Sequence, residues 1–434
     1  MRKRMSMILV IMMMATVAAG CGKSDETGFN TSDVYAEQTE TKSSKKETSE
    51  NDTSEADSSA DNSNDMFTER DMAQEADLSE AETLAVQDGE DLTITSEGVY
   101  VLSGSSKDTT VYVEAGDEDK VQIVLDGVSI TNEDSPAIYV KSADKVFVTT
   151  ASGTDNTMSV SQSFVADGDN NLDGVIFSKD DLVLNGKGTL SITSTDNAVV
   201  CKDTLKITGG TITAEAAGTA FEANDAIEIA DGSIEVTRSV DALHAENDED
   251  DSVGSIYIGG GSFNMNADDD TIHATTTVQI DGGDLTLTGA ECIEATSIQI
   301  NEGTINITAS DDGINAGQKS SQLSPVFEMN GGEVTITMGA GDTDGVDSNG
   351  DIYINGGTIS ISGQSTFDYD GNAVYNGGTI IENGKETNTI TNQMLGGHGM
   401  GGFGGPDGTT PGGDGGFGGE FGGEGGFGGH RGPR

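Results

Sequence analysis

Tryptophan is absent from this sequence, and aromatic residues are only 5% of its 434 positions. A single thick core of that length ordinarily draws on large rings. A repeat architecture does not, because each repeat has a thin core of Ile, Val, Leu and Ala. Positive charge is also scarce: 21 Lys and Arg stand against 75 Asp and Glu, for a net charge of -54. Such a chain repels polyanions, which excludes nucleic acid and any direct grip on an anionic membrane surface. It attracts divalent cations, and an anionic polymer would have to be bridged by them. The three cysteines, Cys21, Cys201 and Cys292, are too few for a disulfide scaffold, and Cys201 and Cys292 fall about four repeats apart. No metal–thiolate spacing, zinc site, nucleophile triad or phosphate loop is legible. The glycine-rich runs follow a β-turn logic and open no helix, so dinucleotide binding is not supported.

What is present begins with an export signal. Arg2, Lys3 and Arg4 form a basic start, and Ile8 to Ala19 form an apolar stretch too short to span a bilayer comfortably. It ends in Val17-Ala18-Ala19-Gly20-Cys21, which resembles a bacterial lipobox, with Ala18 where a large aliphatic is usual. That signal implies lipidation at Cys21, a membrane anchor and exposure on the bacterial surface. Residues 22–85 are mostly Ser, Thr, Asp, Glu, Asn and Lys and are expected to be a disordered tether, with some helical character from Phe67 to Ala85, a stretch placed to cap or lead into the fold. Residues 386–434 form a Gly-rich low-complexity tail, expected to be disordered and to act as a spacer.

Residues 86–385 read as all-β. Short runs such as Val111-Tyr112-Val113 and Val121-Gln122-Ile123 alternate with period two between Gly, Asn and Asp. From Leu182 a turn ending in Gly recurs at Gly210, Gly232, Gly261, Gly283, Gly303, Gly332, Gly357 and Gly378. The intervals are 22, 29, 22, 20, 29, 25 and 21 residues; polar insertions at Glu246 to Gly254 and Gln318 to Ser324 account for two of the long ones. A base period near 20 with two or three short strands per period predicts a solenoid. The leucine-rich repeat signature is missing, and a propeller blade needs twice the period. The expected fold is a right-handed parallel β-helix of about a dozen coils, a monomer roughly 60 Å long at the usual strand spacing.

Each coil carries a polar pair three residues apart before its next strand: Asp241 and His244, Asp270 and His273, Glu291 and Glu294, Asp312 and Asn315, Asp344 and Asp347. Asp370 is read as continuing the series. Stacked coils would bring these carboxylates to strand spacing, where they repel unless neutralised. Calcium takes six to eight hard oxygen ligands in irregular geometry and suits them. Imidazole is a poor calcium ligand, which points the sites toward the Glu291-to-Asp370 end. The candidate ligands are Asp270, Glu291, Glu294, Asp311, Asp312, Asp342, Asp344, Asp347, Asp368 and Asp370, with calcium the implied cofactor. The alternative is that the acids only terminate strands and are solvated.

Three strings, SDDGINA from Ser310, GDTDGVDSNGDIYINGGTI from Gly341 and FDYDGN from Phe367, resemble the bacterial exported carbohydrate-binding domain-containing proteins. The resemblance covers roughly Asp91 to Gly384. It implies a right-handed parallel β-helix like that of family-nine pectate lyases, calcium binding, and affinity for polygalacturonate or cellulose without clear lyase activity. It also implies metal roles for Asp311, Asp312, Asp344 and Asp347. The Gly usual in the motif is replaced at Cys292 and Thr271. Three functions are open: a non-catalytic polysaccharide binder, a calcium-dependent polysaccharide lyase, and a surface adhesin or spacer. A lyase needs a base near the metals, and Arg238 and Lys319 are the only basic residues between Ala214 and Thr379. Lys319 is expected to be solvated. Tyr257, Tyr353, Tyr369 and Tyr375 are the rings available to stack on sugars.

Overall fold

The structure is a computed structural model that describes residues 66–247, 249–340 and 343–393. The strands coil into a parallel β-solenoid with three faces. Twelve short strands, from Leu92–Ile94 to Ser365–Tyr369, form one twelve-stranded sheet, one strand per coil. The other two faces join into a 24-stranded sheet, because Gly98–Lys107 and Lys120–Asn132 are long enough to run through both. Further along, each coil splits that length into two strands separated by the glycine turn.

Alternation decides which side chains enter the core. In Thr304–Ala309, Ile305, Ile307 and Ala309 point inward, while Thr304, Asn306 and Thr308 face solvent. Parallel register then stacks like on like. Leu287, Ile307, Ile336 and Ile361 form one inward column, and Ile272, Ile293, Ile314, Val346 and Phe367 form another. β-Branched side chains are stiff and fill a pleated surface well, which is why a core this thin is continuous over its whole length. Cys201 and Cys292 are buried, free thiols within it.

The turns repeat for a steric reason. Gly332 has φ +78°, and a Cβ there would lie 2.8 Å from the carbonyl oxygen of Gly303 in the coil below. Beside this corner runs an asparagine ladder. Asn330 Nδ2 donates to Asn301 Oδ1 at 2.8 Å, Asn355 to Asn330 at 2.8 Å, and Asn376 to Asn355 at 2.7 Å.

Two boundaries differ from the sequence expectation. The folded part reaches back to residue 66, and Phe67 to Ala85 forms turns and then the strand Glu82–Ala85 rather than helix. The segment is a strap across the outside of the coils. Asp71 is fully buried there, 3.6 Å from Lys145; Gln74 bonds Thr208 and Gly186; and Phe67 faces Tyr257 at 6.2 Å. A buried carboxylate with a lysine partner anchors the strap where composition alone predicts a tether. Strand pairing also continues to Lys385–Thr387, which turns back antiparallel on Thr379–Glu382 and blunts the final edge. Cys21, the signal region and the Gly-rich tail beyond residue 393 lie outside the described residues.

Candidate functional site

In the twelve-stranded sheet each strand turns one side chain away from the inward column, and parallel register aligns these residues in a second column. It runs Tyr112, Tyr139, Phe177, Val200, Glu222, His244, His273, Glu294, Asn315, Asp347, Asp368. The first part is apolar: Tyr139 and Phe177 meet edge to face at 5.6 Å and are buried with Leu172. From Glu222 onward the column is polar. The second member of each acidic pair therefore does stack on its neighbours, as the spacing of the pairs predicts.

The register corrects one assignment. Asp368, not Asp370, lies opposite Asp347, and Ser365 takes the place of Asp344. Asp370 is exposed two residues further on, where its N–H donates to Ser348. Asp311 is exposed next to half-buried Asp312, and Asp342 lies outside the described residues. The motif glycine also has a cause: a Cβ on Gly345 would lie 2.3 Å from Ile361 Cγ2, whereas neighbouring coils accommodate Cys292 and Thr271.

The polar column divides into two regions of different electrostatics. In the first, each acid has a partner. His244 Nδ1 is 3.0 Å from Asp241 and its Nε2 is 3.1 Å from Glu246. His273 Nδ1 is 2.7 Å from Asp270 and 2.9 Å from Glu294, and the two imidazoles stack at 4.5 Å with 4° between their planes. Burial works to lower both histidine pKa values, but the carboxylates outweigh it and raise His244 to about 9 and His273 to about 10. Glu294 also takes Lys319 Nζ at 2.7 Å, so Lys319 is an ion-pair partner of the column rather than a solvated loop residue. Burial alone would raise the Glu294 pKa, yet His273 and Lys319 hold it well below the usual carboxylate range. Glu291 accepts from Asn315 at 2.9 Å; burial pushes its pKa up, and the charges of Glu294 and Asp270 add to this.

In the second region the acids face one another. Arg238 pairs with Asp268, and Lys319 with Glu294, so neither base in this stretch neutralises Asp312, Asp347 or Asp368. Burial raises Asp347 to about 7, reinforced by the charges of Asp312, Asp368, Asp344 and Asp370. Burial likewise raises Asp312 to about 6 despite the 2.9 Å hydrogen bond it accepts from the Asp344 N–H. The donors here are hard oxygens with adjustable geometry, a set that fits calcium and does not fit a soft metal. Of the candidate ligands, Asp312, Asp344, Asp347 and Asp368 are brought together on this surface. Asp270 and Glu294 are committed to His273 and Lys319.

Two contacts of the site escape sequence reasoning, that of Glu246 with His244 and that of Lys319 with Glu294. Glu246 lies two residues beyond His244, on the same side of the chain, which period two could have flagged. Lys319 is delivered by contacts between two insertions: Ser320 Oγ donates to the Asp251 carbonyl at 2.6 Å, and the Ser321 N–H to the Asp251 carboxylate at 2.8 Å. The tyrosines do not form a platform beside the acids. Tyr257 is covered by the strap, Tyr353 belongs to another face and donates to Asp351, and Tyr369 packs on the core.

Comparison with known proteins identifies relatives in sequence. A curated carbohydrate-binding domain-containing protein of Acetivibrio thermocellus is 39% identical over 125 residues, which are 28% of this chain and 44% of the relative. The chain thus spans less than half the length of that relative. A solved polysaccharide lyase-like protein from C. thermocellum, in a gadolinium derivative, is 22% identical with a TM-score of 0.39, covering 67% of this chain and 99% of the other. The family model described as carbohydrate-binding domain-containing protein matches residues 88–345 and 292–394, which together take in nearly the whole solenoid. The chain belongs to the carbohydrate-binding domain-containing protein family.

Proposed function

We propose that this is a non-catalytic, calcium-dependent polysaccharide-binding protein, held on the outer face of a bacterial membrane by a lipid on Cys21. One observation carries the calcium reading: Asp347 and Asp368 stack on adjacent coils beside Asp312 of the preceding coil, and among the described residues no lysine or arginine pairs with them. Calcium would relieve that repulsion, and its remaining coordination positions would take carboxylates of a pectin-like uronate polymer. Family membership supports the carbohydrate half of the reading.

A lyase would need a neutral base beside the metal. Burial works to lower the Lys319 pKa, but Glu294 outweighs it and raises it, so this amine is a protonated partner rather than a base. Arg238 is exposed and paired with Asp268 at 3.4 Å. These pairings favour binding over bond cleavage.

Polygalacturonate is expected to be retained by the protein in calcium and released in EDTA, with no unsaturated uronide formed. Retention undiminished in EDTA would turn the reading to adhesin or spacer. Uronide release lost in Lys319→Ala would establish a lyase.

A further inference from the structure

The histidine end of the column has a different chemistry from the oxygen-only end. His244 and His273 are directly opposite on neighbouring strands, with parallel rings. Each Nδ1 is held by a carboxylate: Asp241 for His244, and Asp270 with Glu294 for His273. These acids are largely buried, with side-chain exposures of 13%, 10% and 8%. A carboxylate on Nδ1 holds a proton there and orients the ring, as in metal-binding histidines, so that an ion entering at Nε2 displaces only the proton on that nitrogen. Glu246 completes the set: His244, Glu246 and His273 each offer a donor atom within 4.8 Å of the other two.

We infer that His244, Glu246 and His273 form a binding site for a zinc-class transition-metal ion, separate from the oxygen-only calcium surface. Two imidazoles and one carboxylate suit zinc, which takes nitrogen and oxygen ligands at about 2.0–2.2 Å in a four-coordinate site. Calcium would reject the two nitrogens. Drawing three donors onto one ion requires them to close by about an ångström. Glu246 can move freely, since 47% of its side chain is exposed, while the parallel rings of His244 and His273 must turn so that their Nε2 atoms converge. The exposed glutamate also leaves the fourth position open to water or to a ligand oxygen. Asp241, Asp270 and Glu294 would be positioning residues that orient the rings, and Lys319 stays on the far oxygen of Glu294, 2.7 Å away. The strongly negative chain favours entry of any divalent cation.

The test is equilibrium dialysis of the full-length, chelator-stripped protein against zinc, with and without excess calcium, and a parallel cobalt(II) titration read by visible absorption. One equivalent of zinc should bind and persist in calcium, and cobalt should give the intense band of a low-coordinate, nitrogen-ligated site. Glu246→Gln lies at the surface and should leave folding intact while weakening zinc by about tenfold or more; Asp241→Asn should weaken it about 10–100-fold, as loss of a ligand-orienting partner does. His244→Gln with His273→Gln should abolish the cobalt band, and Asp347→Asn should leave it unchanged. Absence of zinc binding would overturn the inference, as would its displacement by calcium. So would zinc binding in folded Glu246→Gln and in the double histidine variant at wild-type strength.

Discussion

Asp347→Asn is expected to make the calcium-free protein more stable while weakening its calcium binding by about tenfold or more, because one charged ligand is lost. In most proteins, losing a ligand or a half-buried polar contact destabilises. Here the carboxylate sits beside Asp312 and Asp368, and burial and repulsion raise its pKa to about 7. Between about pH 4 and 7 the folded chain holds a proton on Asp347 that the unfolded chain releases. The group's stabilising effect is therefore present at low pH and lost as pH rises through the folded value. Asp312, raised to about 6, acts in the same sense. The histidines do too, at higher pH, because stability from a raised imidazole pKa is complete below about pH 6.5 and lost toward 9 and 10. Chelated wild-type protein should thus melt at progressively lower temperature from pH 5 to pH 10, and calcium should flatten the decline near neutrality. At pH 8, Asp347→Asn should recover about 1 kcal/mol, after discounting for the solvent that reaches this half-buried side chain. Thermal melts of both proteins with and without calcium would measure this. A calcium-free midpoint that rises from pH 5 to pH 8, or a destabilised Asp347→Asn, would show that the acids are solvated and do not repel.

Phe367→Ala is expected to cost about 3–5 kcal/mol. The ring is fully buried at the end of the inward column that runs through Ile272, Ile293, Ile314 and Val346, and Val346 is its one neighbouring column member among the described residues. In a solenoid each coil is stabilised mainly by its neighbours, so a cavity in the last coils should fray that end before the whole domain melts. Phe367 adjoins Asp368, so the same change should also weaken calcium. Denaturant unfolding followed by amide exchange would locate the loss. Protection lost evenly from both ends would contradict this picture of local coupling.

Much of this fold was legible because solenoids translate sequence period directly into space. The glycine turns marked the corners, alternation separated core from surface, and pairs such as Asp312 and Asn315 announced a stacked column. Three features were not legible, each for a physical reason. The strap depends on Asp71 meeting Lys145 across many residues of sequence, a contact no local pattern encodes. Lys319 reaches Glu294 only because two insertions hydrogen-bond to each other, so the balanced and unbalanced halves of the column look alike in sequence. The last coil misled because Asp368 and Asp370 both resemble ligands, and only strand register shows which one lies opposite Asp347. The histidines were visible but were set aside as poor calcium ligands. Their carboxylate partners and stacked rings became apparent only when neighbouring coils were placed side by side.

The most direct measurement is calorimetric titration of calcium into the chelated protein, repeated on a variant carrying Asp312→Asn and Asp347→Asn, and followed by polygalacturonate. Saturable calcium binding that the double variant loses, together with polymer uptake only in calcium, is the result predicted. An absence of calcium binding, or equal binding by the double variant, would contradict a calcium-bridging surface at this column.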